Sequence, residues 1–178
     1  MESKEAELIG DLIRQSRTAQ QQLLARYGPS VYRTVQRIVG CQEDAEEVYQ
    51  DVFVKALRSI GTYDSRLASL GTWLSRIAYH EALNFVRKAR PTLVSIDDEG
   101  RVSESEADEG DIAKEASIEQ LERGMELLPA EERALLTMFY YDGMSLSEIA
   151  YVEGSNASTI GSKLCRIRKK LYKITKTL

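Results

Sequence analysis

Residues 145–178 read SLSEIAYVEGSNASTIGSKLCRIRKKLYKITKTL, and this stretch decides the fold of the C-terminal part of the chain. Ser145 and Glu148 have the spacing of a capping box, in which a serine and a glutamate satisfy the first amides of a helix. Gly154 tolerates the left-handed backbone at which helices end, and either residue of the pair 155–156 can cap a following helix. A short helix, a glycine turn and a second helix predict a helix-turn-helix, whose second helix enters the major groove of DNA.

The second of these helices is apolar on one side and cationic on the other. Its apolar residues recur with the period of a helix, at Ile160, Leu164, Ile167, Leu171 and Ile174. The other side carries Thr159, Ser162, Lys163, Arg166, Lys169, Lys170 and Lys173. Beyond Glu153 the chain has no acidic residue. Such a helix is suited to DNA, and the alternative is an antiparallel helix pair whose lysines only face solvent.

Composition predicts an all-α protein and excludes several other classes. The 178 residues are 43% hydrophobic and include only three prolines, while Ala, Leu, Glu, Arg and Lys are abundant. This composition favours helices. No stretch approaches the roughly 20 apolar residues of a membrane span, and the N-terminus lacks the features of a signal peptide. We therefore expect a cytoplasmic protein without membrane insertion.

Residues that carry catalytic or metal chemistry are few. Cys41 and Cys165 are far apart in the sequence, and His80 is the only histidine, so neither a metal site nor a disulfide framework is indicated. The HExxH, P-loop and GxSxG motifs are also missing. We expect no catalytic residue, no cofactor and no small-molecule substrate.

Charge divides the chain into three parts. Residues 1–90 carry 13 basic and 11 acidic groups, residues 91–117 carry 2 and 9, and residues 118–178 carry 9 and 8. The acidic middle part cannot bury enough apolar surface to offset its ordering entropy. The sequence therefore predicts two small helical domains, 1–90 and 118–178, joined by a flexible acidic linker. The linker is either a plain tether or a segment whose charge keeps it off DNA or places it in a basic channel.

The N-terminal domain is predicted to be a run of helices. Apolar periodicity indicates one helix around Gly28–Pro29 that ends near Gly40–Cys41, a second over 44–57 and a third over 73–88. Residues 60–66 are rich in Gly, Thr, Asp and Ser, which indicates a loop between the second and third helices.

Five groups of residues occur in the order and at the spacing of a known family. They are Asp44-Ala45-Glu46-x-x-x-Gln50-x-x-Phe53, Trp73-Leu74-x-x-Ile77-Ala78 with Asn84-x-x-Arg87, Leu128-Pro129, Gly143-x-Ser145-x-x-Glu148-Ile149-Ala150, and Ser158-Thr159-Ile160. In these groups the chain resembles bacterial RNA polymerase sigma factors. Its compact size resembles the extracytoplasmic-function group of the sigma-70 family. The resemblance extends over residues 20–90 and 118–173.

This resemblance implies a function for the whole chain: a factor that binds core RNA polymerase and directs promoter recognition, DNA melting and transcription initiation. The first domain would be similar to sigma region 2 and the second to sigma region 4. The implied partners are core RNA polymerase, promoter DNA and an anti-sigma factor. Two alternatives remain, a polymerase-independent helix-turn-helix transcriptional regulator and a helical adaptor with no DNA function.

The resemblance also implies roles for individual residues. The acidic second helix would dock on the polymerase through Asp44, Glu47, Gln50, Asp51 and Val54. The loop would hold an extruded base through Thr62, Tyr63, Asp64, Ser65 and Arg66. The third helix would read the -10 element through Arg76, His80, Asn84 and Arg87. The last helix would read the -35 element through Ser158, Thr159, Ser162, Lys163, Arg166, Lys169 and Lys170.

Some of these roles have plainer alternatives, and three residues depart from the family pattern. The acidic face can be merely solvated, Tyr63 can cover the core, and His80 can be an ordinary surface histidine. Relatives often carry Asn at the position of His80 and Asp at that of Asn84, so a -10 sequence does not transfer by analogy. Gly161 stands where relatives often have a long polar residue, and glycine costs about 1 kcal/mol of helix propensity.

Overall fold

The structure, a computed structural model, describes residues 2–89 and 118–178, and every regular element in these ranges is a helix, as predicted. The N-terminal helices are α1 (Glu2–Ile13), α2 (Arg17–Val39), α3 (Gln42–Ser59) and α4 (Leu70–Ala89). The C-terminal helices are α5 (Ile118–Glu126), α6 (Ala130–Leu136), α7 (Leu146–Glu153) and α8 (Ala157–Thr175). The predicted acidic linker lies outside the described residues. Within the two ranges, no helix has both the length and the apolar character that crossing a membrane requires.

Helices α1, α2, α3 and α4 form the N-terminal domain, and Leu12 of α1 is buried in its core. Helix α2 begins at Ser16, whose hydroxyl accepts a hydrogen bond from the amide of Ala19 (3.5 Å). It runs through Pro29 and ends at Gly40, where a φ of 87° favours glycine. The shared core includes Leu23, Val35, Ile38, Val52, Leu70 and Leu74. The three predicted helices are present, and α3 and α4 extend a few residues beyond their predicted ranges.

The predicted helix-turn-helix is present in the C-terminal domain. Ser145 accepts a hydrogen bond from the amide of Glu148 (3.3 Å), and Glu148 accepts one from the amide of Ser145 (2.9 Å), so both halves of the capping box form. Gly154 closes α7 with a φ of 81°. The side chain of Asn156 accepts from the amide of Thr159 (2.8 Å) and begins α8. The predicted apolar stripe of α8 faces inward through Ile160, Leu164, Ile167, Leu171 and Ile174.

The two domains pack against each other. Helix α7 lies against α4, and α6 lies against α2. A π-helical turn, Thr137–Tyr141, follows α6 and also contacts α2. This contact brings the helix-turn-helix against the face of α4 that was expected to read the -10 element.

Candidate nucleic-acid interface

Helix α3 presents its acidic side to solvent. Glu47, Gln50 and Asp51 are exposed and Asp44 is half-buried, while Val54 is 46% exposed. The inner side of the helix is fixed by the buried residues Ala45, Val48, Val52, Phe53 and Ala56. The side chains of the four polar residues have no hydrogen bond or ion pair with the described part of the chain. These carboxylates and Val54 therefore form a surface that a partner protein can reach.

The loop after α3 holds its polar residues in internal bonds. Asp64 accepts hydrogen bonds from the guanidinium of Arg66 (2.6 Å at the shortest) and from its backbone amide (3.0 Å). These bonds lower the pKa of Asp64 to about 2. The hydroxyl of Thr62 donates to the carbonyl of Ser59 (2.7 Å). The side chain of Arg66 is nevertheless 87% exposed, so it can still meet a phosphate.

Tyr63 packs onto the core instead of standing free. Its ring meets the ring of Trp73 edge-on, with 5.7 Å between the ring centroids. Its hydroxyl donates to the carbonyl of Ala68 (3.0 Å), and burial raises the pKa of the phenol. This geometry favours the covering role over a free stacking surface.

The predicted -10 face of α4 is turned toward the end of α7. The guanidinium of Arg76 donates to the carbonyl of Tyr151 (2.6 Å) and lies over the Tyr151 ring. The Nε2 atom of His80 lies 3.0 Å from the carbonyl oxygen of Val152, so a ring protonated on Nε2 donates to it. Both carbonyls belong to the last turn of α7, where acceptors have no partner within the helix and the helix dipole favours cations.

His80 is kept neutral in this position. Burial against α7 lowers the pKa of its imidazole from the ordinary 6.5. The hydrogen bond with Val152 opposes that shift, and the neighbouring cations Arg76, Lys55 and Arg87 reinforce it. At pH 7 the neutral form of the ring therefore predominates.

Two carboxylates of the C-terminal domain bind the same face of α4. Glu131 of α6 pairs with Arg87. Glu148 accepts a hydrogen bond from the buried hydroxyl of Thr72 (3.0 Å), and the bonds it accepts from Ser145 lower its pKa, so it is ionised at neutral pH. Asn84 is exposed and has no hydrogen bond with the described part of the chain.

Helix α8 presents part of its polar side to solvent. Ser158, Ser162 and Arg166 are exposed, and Thr159 and Lys169 are half-buried. Arg166 makes no hydrogen bond or ion pair with the described residues. Its guanidinium is thus a donor available to a base edge or a phosphate.

Two lysines of the predicted -35 set are held by carboxylates of their own domain. Lys163 pairs with Glu153 of α7 (2.7 Å), and Lys170 pairs with Glu132 of α6 (2.8 Å). The Glu153 side chain is only 13% exposed, so its pair with Lys163 helps to fix the angle between α7 and α8.

Gly161 lies on α8 where no backbone strain or tight packing requires glycine. A Cβ added there would lie 3.8 Å from the nearest atom considered, Cδ1 of Leu146, which is an ordinary contact distance.

Sequence reasoning missed the residues that join the domains beside the contact between α4 and α7. Arg133 donates to the carbonyl of Ile38 at the end of α2 (2.9 Å). The hydroxyl of Thr34 donates to Asp142 (3.1 Å), whose side chain is 7% exposed and whose pKa is raised by burial. The sequence offered one signal for this contact, because Thr34 is a polar residue at a core position of α2. Nothing in the sequence identified Asp142 as its partner.

Two protein-family descriptions match the chain, one in each domain. Residues 23–92 match Sigma-70 region 2, and residues 118–171 match Sigma-70, region 4. The two matches follow each other in the order in which the resemblance placed them.

Curated relatives are similar over most of the chain. The RNA polymerase sigma-H factor of Pseudomonas aeruginosa is 28% identical, and the match covers 99% of this chain and 96% of that protein. The ECF RNA polymerase sigma factor SigM of Mycobacterium tuberculosis is 29% identical, with 97% and 85% covered. The ECF RNA polymerase sigma-E factor of Escherichia coli is 29% identical, with 83% and 81% covered.

Two solved structures have a similar fold. CnrH, solved in complex with the cytosolic domain of CnrY, has a TM-score of 0.68 at 20% identity, with 96% of both chains covered. The sigma factor RpoE of Bartonella quintana, solved with the anti-sigma factor NepR, has a TM-score of 0.65 at 22% identity, with 88% of this chain and 96% of RpoE covered. At these identities the similarity concerns the fold.

Proposed function

This chain belongs to the extracytoplasmic-function group of the sigma-70 family, and we propose that its two domains divide promoter recognition between them. The protein binds core RNA polymerase and directs promoter recognition, DNA melting and transcription initiation, while the polymerase supplies the phosphoryl-transfer chemistry. Residues 1–90 act as region 2, residues 118–178 act as region 4, and residues 91–117 connect them. Each domain binds weakly alone, and the polymerase-imposed spacing lets the two contacts reinforce each other.

This proposal is carried by two helices that occur in one chain. The carboxylates on the acidic side of α3 have no partner among the described residues, and α8 is a capped helix with the cationic side that DNA reading requires. A polymerase-independent regulator would explain α8 and leave the exposed carboxylates of α3 without a role. A helical adaptor without DNA function would explain α3 and leave the free guanidinium of Arg166 without a role. A sigma factor accounts for both.

Helix α8 is proposed to read the -35 element in duplex DNA. Its first turns carry Ser158, Thr159, Ser162 and Lys163, which would lie near base edges, as in other helix-turn-helix proteins. Arg166, Lys169 and Lys170 would contact guanines or phosphates farther along the groove. Lys163 and Lys170 would have to exchange their present carboxylate partners for DNA.

Helix α4 and the loop before it are proposed to engage the -10 element. Asn84 can pair with a base edge as it stands, while Arg76, His80 and Arg87 become available when the C-terminal domain moves away. Thr62, Asp64 and Arg66 would contact the extruded base or its phosphate, and Tyr63 would support the loop from below.

The acidic side of α3 is proposed to dock on the polymerase through Asp44, Glu47, Gln50, Asp51 and Val54. A groove between α3 and α4 continues this surface and is lined by Glu47, Asp51, Asn84, Phe85 and Lys88 among others. Polymerase and -10 contacts therefore adjoin each other on one side of the N-terminal domain.

A charge-neutralising substitution tests the docking surface. Asp51→Asn removes an exposed, unpaired carboxylate with little change of shape, and we expect about tenfold weaker binding to core polymerase, or about 1.4 kcal/mol. The matched control is Glu46→Gln, because Glu46 is exposed on the same helix, bonds with Gln42 (3.1 Å) and lies outside the proposed contact. The measurement is a fluorescence titration of labelled protein with purified core polymerase. Equal affinities for both variants would contradict the docking surface.

An anti-sigma factor is a further proposed partner. Support comes from the similar fold of RpoE, which was solved with the anti-sigma factor NepR. Such a partner would act in the cytoplasm, where the polymerase and the promoter are, and would weaken core binding in the same titration.

A further inference from the structure

An acidic residue ends the first helix of the helix-turn-helix, although two physical effects disfavour a carboxylate there. Glu153 is the last residue of α7, where the helix dipole favours a cation. Its side chain is only 13% exposed, and its Oε2 atom is buried without a hydrogen-bond partner among the described residues. Burial of an ionised carboxylate costs free energy unless a cation compensates it. A compensating cation is therefore expected at the other oxygen, Oε1.

The compensating cation is Lys163 of α8, one of the residues assigned to the -35 element. Its ammonium group donates to the Oε1 atom of Glu153 (2.7 Å). Lys163 lies three residues after Ile160 and four residues before Ile167, and both isoleucines are buried. Residues at these spacings are neighbours on the surface of a helix. Lys163 therefore starts at the edge of the packed side of α8 and reaches back to α7.

The exposed polar side of α8 lies elsewhere on the helix. Ser158, Ser162 and Arg166 are exposed, and a rotation of 100° per residue places them opposite the buried stripe. The pair of Glu153 and Lys163 joins α7 to α8 across the turn between them, so it helps to set the angle at which these exposed residues are presented. Both partners belong to the C-terminal domain, so the pair does not require the contact with α4.

We propose that Glu153 and Lys163 are positioning residues for -35 recognition, and that Lys163 keeps its carboxylate partner on DNA instead of exchanging it. The inference rests on the proposed function, because that function assigns α8 to the -35 element. Contacts with base edges need side chains held to within about 0.5 Å and 10–20°, whereas attraction to phosphates tolerates a tilt of the helix. Glu153 therefore strengthens -35 recognition, although its charge alone repels DNA.

Neutralisation of the carboxylate tests this sign. Glu153→Gln nearly preserves the shape of the side chain and removes a negative charge, which direct electrostatics alone predicts to tighten DNA binding. We expect the opposite: holoenzyme should bind promoter DNA selected by the wild-type holoenzyme about three- to tenfold more weakly. Binding to the same DNA with a scrambled -35 element should not weaken. Equal or tighter binding of Glu153→Gln to the intact promoter overturns the proposal.

The second carboxylate that pairs with α8 provides the matched control. Glu132 of α6 binds Lys170 (2.8 Å), and the side chains of this pair are 30% and 46% exposed. Exposed ion pairs contribute little to the geometry of a fold. Glu132→Gln removes the same charge from the same domain and should leave promoter binding equal or tighter. Equal weakening by Glu132→Gln and Glu153→Gln would show a general effect of charge and overturn the proposal.

Two further variants separate positioning from a direct contact of Lys163 with DNA. In Lys163→Met, the slope of the logarithm of the binding constant against the logarithm of the salt concentration should not change, whereas loss of a phosphate contact lowers its magnitude by about 0.9. Glu153→Lys combined with Lys163→Glu forms the pair again and places a cation at the end of α7, where the helix dipole favours it. This charge swap should restore promoter binding to within about twofold of wild type.

The charge swap also distinguishes the possible failures. If Lys163 contacts DNA, the swap places a carboxylate against DNA, and binding weaker than that of Lys163→Met overturns the proposal. Because the swap keeps both charges, it answers the question even where a single variant is unfolded in circular dichroism. Wild-type holoenzyme that binds intact and scrambled -35 DNA equally well counts instead against the proposed function of α8.

Discussion

Among single residues, Gly161 separates fold stability from DNA reading most clearly. Because a Cβ at this position would make only an ordinary contact with Leu146 (3.8 Å), alanine should fit. We expect Gly161→Ala to raise the free energy of unfolding by about 0.5–1 kcal/mol, since alanine is the better helix former. Urea denaturation followed by circular dichroism measures the change. Weaker -35 binding by the stabilised variant would show that the bare backbone approaches DNA.

Gly124 is the control for that substitution. A Cβ there would lie 2.9 Å from Cδ1 of Leu171 and 3.0 Å from Cγ2 of Thr175, where α5 and α8 approach closely. Gly124→Ala should lower the free energy of unfolding by about 1–3 kcal/mol through overpacking. Destabilisation by both variants would show that Gly161 also has a packing role.

The residues that could be predicted from the sequence are those whose role is local. The caps made by Ser145, Glu148 and Gly154 act within one turn of α7, so their spacing alone predicts the capping hydrogen bonds and the positive φ, but not the bond of Glu148 with Thr72. Lys163 could be placed on the polar side of α8 by periodicity, but its pair with Glu153 depends on the angle between two helices. Periodicity carries no information about that angle.

At the scale of elements, α8 should owe its DNA affinity mainly to side chains that are not already paired. Arg166→Ala is expected to weaken promoter binding by about 1–3 kcal/mol if the guanidinium reads a guanine. If the guanidinium instead contacts one phosphate, the slope of the logarithm of the binding constant against the logarithm of the salt concentration should fall in magnitude by about 0.9. Lys170→Ala should have a smaller effect, because Lys170 is paired with Glu132 (2.8 Å). Both effects can be measured by the binding of holoenzyme to labelled promoter DNA at several salt concentrations. Equal losses of affinity in Arg166→Ala and Lys170→Ala would contradict this account of α8.

The contact between α4 and α7 should depend on pH through His80. Its pKa is lowered from 6.5 where α7 covers α4 (the closed form), chiefly by burial. A form in which the two domains lie apart (the open form) therefore binds the proton more tightly. The stabilisation of the closed form is fully present above pH 6.5 and is lost as the pH falls through the lowered value. With spin labels at Ala25→Cys and Thr177→Cys, exposed positions on different domains, we expect the distribution of label distances to broaden as the pH falls from about 8 to about 5.5.

Replacement of the imidazole is the control for this pH effect. His80→Gln keeps a donor for Val152 and cannot titrate, so its distances should not change in that window. The cations Arg76, Lys55 and Arg87 lie near His80 and lower its pKa further, and the Tyr79 ring meets the imidazole edge-on. Burial raises the pKa of Asp142 above 3.8. Its protonation at lower pH therefore favours the contact between the domains, whereas protonation of His80 weakens that contact. An equal pH effect in His80→Gln would contradict the role of the imidazole.

Most of the helices could be predicted from the sequence, but which elements pack against each helix could not. Helical spacing places Arg76, His80 and Arg87 on one face of α4, because that grouping is a property of one helix. It could not show that α7 covers the face. The π-helical turn at Thr137–Tyr141 was also missed, because its wider winding breaks the period on which such predictions depend.

For the whole molecule, the closed arrangement of the domains lay beyond sequence reasoning for a physical reason. Three of its bonds end on the backbone carbonyls of Ile38, Tyr151 and Val152, and every residue has such a carbonyl. The acidic composition of residues 91–117 correctly indicated two domains but sets no relative orientation. In this arrangement Arg76, His80 and Arg87 have partners in the C-terminal domain.

Reconstituted transcription tests the central claim most directly. Core polymerase with this protein would select promoters from a random-sequence DNA library, and the selected DNA would be transcribed with and without the protein. We expect transcripts from a discrete start site that require both a -10 and a -35 sequence and are missing with core polymerase alone. Failure to bind core polymerase, or binding without any start site that core polymerase alone does not use, would contradict the account.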